Sequence, residues 1–141
     1  MDSFKIEQEI GINASAEKVF ATLTGDITSW WDHTRSENPK AVILEPKLNG
    51  LFYEDMGNGD GAIWGRIEHV EKNKVICWKG SMGMGSAVLG DIRFELSEKD
   101  GSTLVKLSHH AIGLLPPDAK KNYTEGWQHL LGNRLKSEAE Q

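Results

Sequence analysis

The residues best equipped for chemistry in this chain stand side by side, His109 and His110 in "SHHAIG", residues 108–113. Imidazole titrates near neutral pH, ligates metals and serves as a general acid or base. Whether the pair can act together depends on the element beneath it. "TLVKLSHHAIG" reads as a strand, and consecutive side chains of a strand point to opposite faces. With Val105 and Leu107 facing the core, His109 and Ala111 face it too, while Lys106, Ser108 and His110 face outward. Two neighbours on opposite faces cannot share one metal ion. The assignment holds for a regular strand and would be reversed by a β-bulge. Two roles stay open for His109: a structural imidazole hydrogen-bonded beneath a helix, or a group that touches a ligand. Catalysis would require an inward carboxylate such as Glu54 or Asp55 beside it, and spacing does not supply that pairing.

The other histidines add no metal site. His33 follows a tryptophan pair in a loop, and His69 lies on the strand-like "GRIEHV". His129 falls roughly 150° around a helix from its apolar stripe, which points it to solvent. No H-E-x-x-H spacing occurs, and the single cysteine, Cys77, sits in the apolar run "VICW" as a small buried hydrophobe. "GNGDGA" has the letters of a dinucleotide fingerprint, but the strand-like "AIWGRIEHV" follows where a helix N-terminus must stand. A strand also follows "GMGSAV", and "EDMGNGDG" lacks the closing glutamate of a calcium loop. No catalytic residue, metal or cofactor is expected.

Aromatic residues carry more information. Five tryptophans are many for 141 residues. Trp30 and Trp31 are adjacent, Trp64 and Trp78 lie on successive strands, and Trp127 sits on a late helix. Indole offers a large apolar surface with one N–H, suited to a core or to a pocket for an apolar ligand. Trp64 and Ile67 have opposite parity on one strand, so the facing of Trp64 stays open. Met82 and Met84, in the glycine-rich "GSMGMGS", suit either an adaptable pocket rim or gaps in a core. At 100° per residue Arg134 falls within the apolar stripe of the last helix. It must meet an anionic ligand group or a sheet carboxylate there, or reach out to water.

The elements that position these residues follow from patterning. "SFKIEQEIGI" reads as a strand, "ASAEKVFATLTG" as a helix capped by Ser15, and "DITSWWDH" as a short helix or turn. From residue 41 the period is two, through about six strands with Asn58-Gly59 as a hairpin turn. After Pro116 and Pro117 a helix runs from about Asp118, with Ala119, Tyr123, Trp127, Leu130, Leu131 and Leu135 on one face. The chain is read as one α+β domain, residues 1–141. A formal charge of −5 opposes binding to nucleic acid or anionic membranes. No apolar stretch is long enough to span a bilayer, and the N-terminus has no signal-like core, so a cytoplasmic location is expected.

Four stretches in this order resemble a known family. They are "ASAEKVFATLT" with its following "WW", "GRIEHVEKNKVICWKG", "STLVKLSHHAIG" and "YTEGWQHLLGNRLKSEAE". Together they are similar to the activator-of-Hsp90-ATPase-homologue family of the START/Bet v 1-like superfamily. That resemblance implies the helix-grip fold: a curved antiparallel sheet of six to seven strands around a long C-terminal helix, two short helices after the first strand, and an apolar cavity between sheet and helix. The histidine in the family's strand corresponds to His109. The cavity candidates are then Trp30, Trp31, Trp64, Trp78, Met82, Met84, His109, Trp127 and Arg134. The expected function is non-enzymatic binding of a hydrophobic small molecule. A protein-interaction module, with a chaperone partner implied by family likeness alone, is the alternative, and cyclase- or hydrolase-type catalysis is a third.

Overall fold

A computed structural model describes residues 1–25, 27–32, 41–85 and 87–141. His33 lies outside the described residues. Strand β1 (Asp2–Ile12) leads into α1 (Ala16–Gly25) and a single 3₁₀ turn, Ile27–Ser29. Strands β2 (Ala41–Leu44), β3 (Leu51–Gly57), β4 (Asp60–Glu71), β5 (Val75–Lys79), β6 (Val88–Lys99) and β7 (Ser102–Gly113) follow. The chain closes with α2 (Ala119–Gln128), a π-helical stretch (His129–Leu135) and α3 (Lys136–Ala139).

The strands form one antiparallel sheet in the order β1-β7-β6-β5-β4-β3-β2. Strands β2 to β7 are a meander, and α1 with the 3₁₀ turn carries the chain from one edge, β1, to the other, β2. Two-residue turns set the register. Asn58 and Gly59 have φ of 57° and 84°, and Asp100 and Gly101 have 54° and 81°. Positive φ at both central positions matches the right-handed twist of the flanking strands.

Period-two patterning becomes burial directly on β6 and β7. Ile92, Phe94 and Leu96 face the core from β6, with Val105, Leu107, His109 and Ala111 from β7. Neither pairing of β7 contains a register shift, so no bulge disturbs the histidine pair. His109 is fully buried and His110 exposed.

Strand β4 departs from simple alternation. Tyr53 pairs with Ile63 and Phe52 with Gly65, which leaves Trp64 as an extra residue. This bulge reverses the parity, so Trp64 and Ile67 are both buried on the inner side. A second shift leaves Glu68 unpaired between Ile67 and His69. Gly65 is required beside the first bulge, because a Cβ there would stand 2.4 Å from Trp78 Cδ1.

The core lies between the sheet's inner face and the helices. Trp30, Phe52, Trp78, Phe94 and Leu131 are among its fully buried side chains. On the closing helix Ala119, Trp127, Leu130, Leu131 and Leu135 are buried, as the stripe predicts, with Tyr123 partly so and Ala139 buried beyond it. Winding is where expectation and structure differ. The helix begins at Ala119 after Asp118 in a left-handed conformation, and its middle is π-helical, Lys136 N–H bonding back to Leu131 O. A π stretch turns fewer degrees per residue than an α-helix, so the 100° step used for Arg134 fails there.

Candidate functional site

A cavity of about 400 Å³ opens between α2 and the inner face of the sheet. Trp31 lines it from the turn that follows Ile27–Ser29, Trp64 from β4, Met82 and Gly83 from the β5–β6 loop, and Tyr123, Trp127 and Leu130 from the closing helix, with Asn122 and Gly126 completing its described lining. Of the residues expected from sequence, four therefore meet: Trp31, Trp64, Met82 and Trp127. Tyr123, Asn122, Gly126, Leu130 and Gly83 were not singled out. For Tyr123 and Leu130 the signal was present, since both lie on the inward stripe.

Trp31 is the hub. Its ring meets Phe52 at 5.0 Å, Trp64 at 5.8 Å and Trp127 at 5.9 Å between centroids, all edge-to-face. Such contacts add about 0.5–1.5 kcal/mol each beyond area burial. Position 31 is held from the helix. Arg134 donates from Nε to Trp30 O at 3.3 Å and from Nη2 to Ser29 O at 3.2 Å, and lies 3.9 Å from Asp32 Oδ2. His129 Nε2 reaches the same carboxylate at 2.7 Å. Arg134 is half-buried, is not among the described lining residues, and ties the π stretch to the tryptophan turn.

The β5–β6 loop is anchored rather than loose. Met82 has φ 51° and Gly83 φ 85°, and the Tyr123 hydroxyl donates to Met82 O at 2.6 Å. Trp78 Nε1 donates to Met82 Sδ at 3.3 Å. Met82 and Met84 are both buried, and Met82 does both things the sequence allowed, filling the core and walling the cavity.

His109 lies behind this wall. Trp127 Nε1 donates to its Nδ1 at 3.0 Å, and its ring packs edge-on against Phe4, Tyr123 and Trp127. Since indole only donates, neutral His109 carries its proton on Nε2. Burial, and secondarily the neighbouring His110, push its pKa down to about 4, so it is uncharged at neutral pH. Its Nε2 and Trp64 Nε1 are buried without a hydrogen-bond partner.

The remaining candidates lie deeper or elsewhere. Trp30 is packed in the core with Nε1 bonded to Leu23 O, and Trp78 is covered by Phe52 and Phe94. The acid–base pair weighed for His109 is not formed. Glu54 is buried on β3, four places along the sheet from β7, and Asp55 Oδ1 accepts from Gly57 N–H at 2.8 Å. Cys77 is buried on the outer face against Arg93, whose Nη1 lies 3.2 Å from its sulfur, and burial raises its pKa. Among the described residues no group of three or more His, Cys, Asp or Glu could hold a metal, and no helix is long and apolar enough to cross a membrane. A second, more open groove of about 1040 Å³ runs by the ends of β5 to β7, where Leu89 and Ile112 are exposed beside Lys5, Lys79 and Asp91.

Comparison with known proteins places this architecture. The family model described as "Activator of Hsp90 ATPase homolog 1-like protein" matches residues 13–140. Among solved structures, the Aha1 dimer from Colwellia psychrerythraea is 24% identical over 97% of this chain and 96% of that one, with a TM-score of 0.67. An uncharacterised Rhizobium leguminosarum protein reaches 0.75 at 14% identity, covering 99% and 95%. Ara h 8.0201 reaches 0.65 at 13% identity, covering 98% of each chain. No curated protein matches the sequence.

Proposed function

We propose, from the premise that this chain belongs to the activator of Hsp90 ATPase homolog 1-like family, that it is a non-enzymatic binder of a small hydrophobic molecule held between sheet and closing helix. The observation that carries this reading is the cavity itself, about 400 Å³ and walled largely by Trp31, Trp64, Trp127, Tyr123, Met82 and Leu130. Its size falls in the range of small-molecule sites, and apolar walls with a few polar groups are the usual lining of such sites. His109 supports the wall as an uncharged group behind Trp127 rather than as a reacting one. A cytoplasmic setting accords with this reading.

Titration with an environment-sensitive apolar dye, followed by tryptophan quenching, tests it. One saturable site is expected, and Leu130→Trp should abolish it by filling the cavity while the fold persists. Binding that never saturates, or that survives the filled cavity, would remove the basis for the proposal.

A second reading, a docking surface for a protein partner, draws on the outer groove with exposed Leu89 and Ile112. The solved Colwellia relative is a dimer, which makes self-association one form of it. Sedimentation of the wild type against Leu89→Glu separates the two readings, since only docking at this groove changes with that substitution.

A further inference from the structure

An edge strand presents unpaired backbone groups, and folds that must stay apart shorten, bend, break or charge it. Strand β1 is an edge of the sheet and is 11 residues long. It contains no proline, its register with β7 is unbroken, and its inward residues, Phe4, Ile6, Gln8, Ile10 and Ile12, include no charge. The other edge, β2, has four residues.

The direction of the backbone groups on β1 follows from bonds further into the sheet. Gly80 N–H donates to Gly90 O, and Leu96 N–H donates to Lys74 O. Even-numbered residues of β6 therefore turn toward β5 and odd-numbered ones toward β7. Carried through the paired registers, odd-numbered residues of β7 and even-numbered residues of β1 turn toward each other. Ser3, Lys5, Glu7, Glu9 and Gly11 must then turn their N–H and C=O away from the sheet. Lys136 Nζ donates to Gly11 O at 2.7 Å, which agrees with this direction and covers that end of the strand. Among the described residues nothing bonds the outward backbone groups of Lys5, Glu7 or Glu9, and all three residues are exposed.

The side chains of this open segment complement themselves. Let a second β1 run antiparallel with Ile6 opposite Ile6. Lys5 of each copy then faces Glu7 of the other, and Ser3 faces Glu9. All of these are outward-turned residues, so each such pair can exchange both N–H···O bonds. Lys5 and Glu7 already lie 2.7 Å apart within one strand, so the four charges would alternate in sign around a square. The neighbouring registers that keep the bonded pairs set Glu7 against Glu7 or Lys5 against Lys5, which is unfavourable.

We propose that β1 pairs with β1 of a second copy of this chain, antiparallel and centred on Ile6, joining two sheets across a two-fold axis. The pairing closes on itself, because it uses both copies of β1 and leaves only the short β2 edges outside. It goes beyond the cavity reading and does not depend on it. It also gives self-association a site apart from Leu89, which lies on β6, two strands in from this edge.

The test is sedimentation equilibrium of the wild type, of Glu7→Lys, of Lys5→Glu and of an equal mixture of the two variants. Both side chains are more than half exposed, so neither change should disturb the fold. The wild type should dimerise. Each variant alone sets like charges opposite one another at both pairs, and its dissociation constant should rise at least about tenfold. The mixture should recover a dimer with one copy of each variant, since opposite charges then face again at both pairs. In the wild type, amide exchange at Lys5, Glu7 and Glu9 should slow as protein concentration rises, while Ile6 and Gln8 stay protected throughout. A wild type that remains monomeric up to about 1 mM would overturn the proposal. So would a dimer that Glu7→Lys leaves intact, and one lost with Leu89→Glu alone would place the contact at the outer groove. None of these results touches dye binding, so the cavity reading is tested separately.

Discussion

Replacing His109 with phenylalanine should change how stability depends on pH. Native His109 has a pKa of about 4 against an ordinary 6.5, chiefly through burial. Above pH 6.5 the ring is neutral in both folded and unfolded chains, and the fold bears no penalty from it. Between 6.5 and about 4 the unfolded chain takes up a proton that the native site refuses, so stability falls as the solution is acidified. The depression corresponds to about 3 kcal/mol across that window. His109→Phe keeps an aromatic ring against Phe4, Tyr123 and Trp127 but leaves Trp127 Nε1 without its acceptor, which costs about 1–3 kcal/mol at pH 7. The variant should therefore be the less stable protein at pH 7 and draw level with or pass the wild type near pH 4.5. Urea denaturation of both proteins at half-unit pH steps measures this directly. Parallel stability curves, offset by a constant amount from pH 7 to 4.5, would refute the reasoning and show that His109 is not held neutral by its surroundings.

Other consequences follow from close contacts. Gly65→Ala puts a Cβ 2.4 Å from Trp78 Cδ1 and 3.1 Å from Lys79 O, so thermal denaturation should show a loss of about 1–3 kcal/mol. An unchanged Tm would mean that the β4 bulge relaxes. Tyr123→Phe removes the hydrogen bond to Met82 O, at a cost of about 1 kcal/mol. Amide exchange should then quicken at residues 82–84, and unaltered protection there would show the loop to be held by packing. Arg134→Met releases the Ser29 and Trp30 carbonyls, and with them the turn that places Trp31. Dye affinity should fall severalfold with a stability loss of about 1 kcal/mol, whereas unchanged affinity would show that Trp31 needs no support from the helix.

The strongly periodic parts of the chain declared their structure. In the middle of β6 and β7 apolar and polar residues alternate, Ile92, Phe94 and Leu96 on one strand and Val105 and Leu107 on the other, so His109 inward and His110 outward could be read from sequence. Asn58-Gly59 marked its hairpin because few other residue pairs adopt two positive φ values so readily. The facing of Trp64 was not legible, since a bulge is defined by the partner strand and nothing within "AIWGRIEHVE" announces the extra residue. The partners of Arg134 were not legible for a related reason. The π stretch changes the winding, and the groups Arg134 meets, Ser29, Trp30 and Asp32, lie about a hundred residues earlier in the chain. The Met82 loop could be read from sequence as a pocket rim or as core filling, but the hydroxyl that anchors it lies 41 residues away. Candidate residues were thus legible by type and facing. Which of them meet at one cavity depended on the curvature of the sheet and on the angle of the helix across it.

The central claim, that the helix–sheet cavity binds a small molecule, is tested most directly by mass spectrometry. The purified protein is exposed to cell extract and weighed under native and then denaturing conditions, beside Trp127→Ala confirmed as folded. The account predicts a reproducible added mass that disappears on denaturation and is absent from the variant. An unliganded mass from every extract, or an added mass that Trp127→Ala retains, would contradict it.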